Sequence, residues 1–160
     1  MSKAFDLRKE LVEAMRGGDA HATFDQAVDG MPPGLIGIRA AGLPHSAWEL
    51  LEHLRISQND VLQFSVRADY VSPPWPAGYW PSSAGPARES QWDEAVNQFR
   101  GDLVAMEKLV LDEGRDLSTP FPWGEGQNLL HEALLVAGHT AYHVGQLVLV
   151  RRALGAWPAS

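Results

Sequence analysis

The stretch from Leu129 to Val150 constrains the fold more than any other. It is apolar on nearly every side of a helix, so it has to be covered on several of them. Asn128 can cap its start and Gly155 can stop it, which predicts a helix over about residues 129–154. His131, Glu132, His139, Thr140, His143 and Gln146 interrupt the run, which is too polar for a routine membrane span. A long, buried helix with polar residues in it belongs in a helical bundle. Gly138, Ala141 and Gly145 cluster on one face and would let another helix approach closely, from the same chain or a second subunit.

Other helical segments supply the cover. Leu7, Leu11, Ala14 and Met15 recur at helical spacing and Gly17-Gly18 ends the pattern, which predicts a helix over about 4–16. Thr23-Phe24-Asp25-Gln26 has the form of a capping box and opens a short helix to about residue 29. Gly30 to Pro44 reads as a loop. Ser46-Ala47-Trp48-Glu49 is a second capping box, opening a helix over about 47–68 whose apolar positions include Leu50, Leu54, Val61, Leu62 and Phe64. Ser90-Gln91-Trp92-Asp93 can cap a helix over about 91–113, with Trp92, Val96, Phe99, Leu103, Met106 and Val110 as its stripe. Between these two, residues 70–90 are too rich in proline for a regular helix. With Trp75, Tyr79 and Trp80 they are too apolar for a flexible linker, and are expected to fold back over the bundle. No strand pattern stands out. The expectation is one all-α domain over residues 1–160, a four-helix bundle.

Charge and cysteine content narrow the function. With 13 basic and 20 acidic side chains the formal charge is −7, and no basic stripe is present. Nucleic acid and anionic membrane surfaces are therefore disfavoured as partners. The absence of cysteine excludes disulfides, zinc ribbons and thiol nucleophiles. The first sixteen residues mix charged and apolar side chains with no signal-peptide core, so a cytoplasmic location is expected.

The strongest chemical signal is His139-Thr140-Ala141-Tyr142-His143. Residues four apart on a helix are offset by only about 40° and about 6 Å along the axis, so two imidazoles can converge on one metal ion. An isolated pair of this kind is more often two ordinary histidines. In a buried helix, however, each ring nitrogen needs a partner, and one metal serves both rings. Imidazole suits zinc, nickel, copper and iron. A third ligand is needed. His53, mid-helix between Leu50 and Leu54, is placed to point inward, with His45 and His131 as competitors. His131 lies about 12 Å up the axis from His139, which counts against it. His21 has no assigned role. Glu132 and Gln146 are candidates to line the pocket or support a ligand. Trp75, Tyr79 and Trp80 could roof it. Other templates fail: there is no phosphate-cradling glycine loop, no HExxH, no G-x-S-x-G turn and no ExxH pair for a di-iron bundle.

Three stretches together resemble the DinB/YfiT-like superfamily. HSAWELLEHLRISQNDVLQF (His45 to Phe64) resembles its second helix with a single histidine ligand; SPPWPAGYWP (Ser72 to Pro81) resembles the connection of one branch; LLHEALLVAGHTAYHVGQLVLVRRALGAW (Leu129 to Trp157) resembles the last helix, with HxxxH followed by GQ. The resemblance covers most of the chain from residue 44 onward. It implies an up-down four-helix bundle with an unusual connection between the second and third helices, metal ligands at His53, His139 and His143, and a homodimer. Gly138 departs from the pattern, since relatives often carry a polar residue there. Related bundles include thiol-dependent S-transferases and isomerases, with some members described as hydrolases. The resemblance thus implies one divalent transition metal, zinc or nickel foremost and iron as a further candidate, with a low-molecular-weight thiol as candidate cosubstrate and a small-molecule substrate. A non-enzymatic protein whose metal is structural fits the same residues.

Overall fold

Capping chemistry sets where most of the helices begin in the computed structural model, which describes residues 6–158. The Asp6 carboxylate accepts from the N–H groups of Arg8 and Lys9 and starts α1, Leu7–Arg16. Gly17, at φ 68°, closes it, in a conformation that strains any residue with a Cβ. Residues 4 and 5 of the expected first helix lie outside the described residues. Complete capping boxes at Thr23 and Ser46 start α2, Phe24–Val28, and α3, Ala47–Val66. Asn128 accepts from the His131 N–H and starts α5, Leu129–Ala153.

The expected cap at Ser90 is not formed. Helix α4, Ser90–Leu111, includes that residue, with Glu89 ahead of it and no side-chain cap. The Gln91 amide oxygen instead turns back to accept from the N–H groups of Ala87 and Arg88. Its longer side chain reaches groups that the Ser90 hydroxyl cannot. The described residues form five α-helices and two short 3-10 turns, without a strand. The protein is an all-α bundle.

Cross-helix contacts fix the directions. Arg55 meets Gln98 and Asn59 meets Asp102, so α3 and α4 keep a constant offset and run parallel. The core says the same. Trp48, Leu51, Trp92 and Phe99, all early in their helices, share one end with Leu147 and Val150 from late in α5. Leu62, Met106 and Val110 share the other with Met15, Ala133 and Val136. Helix α5 is thus antiparallel to both α3 and α4. The connection between α3 and α4 carries the chain back along the bundle, as its length and its aromatic residues led one to expect.

Helix α5 packs against α1, α2, α3 and α4. By length and composition alone it could cross a membrane. Here its polar residues Glu132, Thr140, His143 and Arg151 are buried inside the bundle. Arg151 is 2 % exposed, and its guanidinium donates to the carbonyls of Ala27, Asp29 and Ala156. It ties the end of α5 to the turn after α2. Leu134, Leu135, Tyr142 and Leu149 of the same helix are exposed.

Candidate metal centre

Helix α3 supplies His53, and α5 supplies His139 and His143 one turn apart. Their ligating nitrogens all lie within 4.8 Å of one another. The Nε2 atoms of His53 and His139 are 3.0 Å apart. The three rings meet edge-on, with centroids 4.5–4.9 Å apart. His53 and His143 are buried and His139 is half-buried.

Hydrogen bonds on the far side of two rings determine where their protons sit. His53 Nδ1 is 2.9 Å from the Tyr79 carbonyl oxygen, which can only accept. The proton is therefore on Nδ1, and Nε2 turns a lone pair toward His139. His143 Nδ1 is 2.6 Å from the Gln146 side-chain oxygen, which fixes the same tautomer. Two such nitrogens 3.0 Å apart repel unless a proton or a cation lies between them. Metal–nitrogen bonds of about 2.0–2.1 Å place adjacent ligand nitrogens about 3 Å apart, so the observed spacing suits an ion.

The electrostatics favour neutral rings. Burial, with His143 and His53 adding to it, pushes His139 down to about 4. Burial and then His53 push His143 down to about 4, against the hydrogen bond to Gln146. Burial also lowers His53, with the Tyr79 carbonyl opposing. Neutral imidazole is the form that binds a metal.

The aromatic connection encloses this cluster. Trp80 stacks on His53 with centroids 4.0 Å apart and on His45 at 4.2 Å. Trp80 is thus sandwiched between the two rings, and His45 does not join the other three. His131 is exposed, and His21 bonds the carbonyl of its neighbour Ala22. Gly78 makes the tight turn before Tyr79 possible, because a Cβ there would sit 2.7 Å from the Pro74 ring. Beside His139 opens a pocket of about 260 Å³, walled by Ser57, Asp60, Val136, Trp75 and Tyr79 among others. Trp75 packs edge-on to Tyr79 and is 77 % exposed. The Tyr79 hydroxyl donates to Asp60 Oδ2 at 2.8 Å, and burial together with Asp60 pushes its pKa up to about 12. A larger open groove, about 440 Å³, lies between the turn after α2 and the start of α4 and contains no histidine.

The residues read from the sequence thus divide. His53, His139 and His143 come together, and Gln146, Trp80 and Tyr79 touch them or hold them. Glu132 is buried but makes no hydrogen bond to the three histidines; burial and then the charge of Asp60 push its carboxyl up, against His131. It sits with Asp60, away from the cluster. Sequence reasoning missed Asp60 and Gln58 as pocket residues. The signal was available for Asp60, seven residues after His53 and so on nearly the same face of α3.

The model of one family, the DinB superfamily, matches residues 18–147. The chain belongs to the DinB superfamily. The match takes in all three histidines and the aromatic connection. No curated protein and no solved structure compared with the chain matches it.

Proposed function

We propose that this DinB-superfamily protein binds one divalent transition metal ion through His53, His139 and His143 and uses it as an enzyme. Zinc or nickel comes first, with iron a further candidate. The reading rests on one observation: three neutral imidazoles converge beside a pocket of about 260 Å³ that reaches His139. Among the described residues no fourth histidine or carboxylate joins the group. Three protein ligands leave a coordination position open, as catalytic sites do, whereas structural sites are closed by four.

When bound, such an ion lowers the pKa of a thiol or water that it holds and makes a nucleophile near neutral pH. The chain's own contribution is positional. The Tyr79 carbonyl and the Gln146 side chain hold the rings in one tautomer, and Trp80 covers His53. Trp75 and Tyr79 shape an apolar roof. Transfer to a low-molecular-weight thiol, or hydrolysis, of a small molecule fits this arrangement. The exposed residues of α5 offer a face for a second copy in a homodimer.

Metal analysis of the purified protein tests the centre. About one ion per chain is expected, and far less in His143→Ala. Equal, negligible metal in both would refute the site. A screen of thiols with electrophilic acceptors then tests the enzyme: turnover that disappears with chelator supports it. A metal-loaded protein inert with every pair leaves a structural ion as the better reading.

A further inference from the structure

We infer that the pocket beside His139 takes a small ligand carrying a protonated amine, held at the Asp60 end of the pocket. The inference builds on the enzyme reading and names the substrate class for that site. Asp60 follows His53 by seven residues on α3, which is about 10 Å along the helix axis. One end of the pocket therefore adjoins the histidines and the other adjoins a carboxylate.

The walls select by charge. No lysine or arginine lines this pocket. Asp60 Oδ2 accepts from the Tyr79 hydroxyl and the Tyr70 hydroxyl lies beside the same carboxylate, while Asp60 Oδ1 is shielded from water and has no partner within hydrogen-bond distance. Gln58, 4 % exposed, is in the same position: its amide N–H₂ donates to the Phe99 carbonyl and its Oε1 has no partner. Both unpaired atoms are acceptors on residues that line the pocket. A short turn of the Asp60 carboxylate about its last torsion, which has a broad well, would bring Oδ1 to a ligand.

An ammonium group supplies what is lacking, with three donors, no acceptor and a positive charge. Trp75 and Tyr79 place two aromatic rings in the wall of the same pocket, and aromatic rings attract cations. A carboxylate ligand would face Asp60 with no cation to offset the repulsion. A purely apolar ligand would leave both oxygens unpaired, which costs free energy at a buried site.

The test compares three probes of similar size: 2-phenylethylamine, 2-phenylethanol and 3-phenylpropionate. Their binding to the full-length protein is measured by calorimetry. The amine is expected to bind about tenfold more tightly than either of the others, and D60N to lose that preference. Asn keeps an acceptor for Tyr79, and circular dichroism verifies that the variant is folded. Trp75→Ala, at an exposed position, is expected to weaken amine binding about threefold. His143→Ala separates this idea from the metal reading, since the amine preference should persist in a protein that has lost its ion. Equal binding of the three probes overturns the inference, as does a preference that survives in D60N. A preference lost in His143→Ala would mean that the ion holds the amine, and overturns it too. A protein without metal that still prefers the amine would sink the enzyme reading alone.

Discussion

Replacing Gln146 by leucine probes the support beneath the metal centre. The Gln146 oxygen accepts from Nδ1 of His143, a ring only 6 % exposed, at 2.6 Å. When Nε2 binds an ion, the ring proton has to stay on Nδ1. Leucine then leaves that N–H buried and unpaired, at a cost of about 1–3 kcal/mol. The metal-free ring escapes most of this penalty, because it can move its proton to Nε2 and leave only a lone pair at Nδ1. The cost therefore falls mainly on the loaded state. Affinity for zinc should drop about 10- to 100-fold, the range usual for removing a hydrogen-bond partner of a ligand. Competition against a chromophoric chelator at neutral pH measures it. Gln146→Glu keeps an acceptor and should retain affinity. Zinc binding by the leucine variant within about twofold of the parent would refute the argument, because the hydrogen bond would then have no role in holding the ring.

Two other outcomes are expected. The depressed pKa values of His139 and His143, about 4 for each, mean that the unfolded chain takes up protons at higher pH than the folded one. Stability of the metal-free protein should fall as pH drops from about 6.5 to about 4, and protons should displace the ion over the same window. Thermal melts and metal content after dialysis follow both, and full metal retention near pH 4 would contradict the assignment of ligands. Arg151→Met should lower stability by about 2–4 kcal/mol, since it removes charged donors from buried carbonyls. Chemical denaturation measures this, and a loss under about 1 kcal/mol would show that water replaces the guanidinium.

Much of the fold was legible because its signals are local. Thr23, Ser46 and Asn128 cap helices through side chains that reach three residues along the chain. The Ser90 expectation failed because Ser90 is already the first helical residue, with Glu89 ahead of it in a helical conformation, so its hydroxyl is not at the capping position, a shift of one residue that spacing does not reveal. His139 and His143 announce themselves by a one-turn interval in an apolar helix, and the place of His53 between Leu50 and Leu54 suggested it as their partner, while the resemblance of whole segments singled it out from His45 and His131. Tyr79 was read as a roof residue, yet its carbonyl sets the His53 tautomer. That role belongs to a backbone atom in an irregular stretch, where periodicity says nothing. Arg151 gave no such signal, since nothing in the sequence says that the carbonyls of Ala27 and Asp29, far away in the chain, gather around it. Parallel α3 and α4 likewise follow from the path of residues 67–89, not from either helix.

That path ties two tasks together. The helices carry the three imidazoles, so a change in ligand preference would naturally fall on the segment between Ser72 and Pro81, which lies outside the helical frame. The same segment presents the carbonyl that orients His53. A DinB relative that rebuilds this segment for a different molecule is free to choose its side chains, but must still deliver an oxygen to the same ring. Remodelling of the roof and retention of the ion are therefore coupled through one peptide group, and substitutions that redirect its backbone should alter both at once.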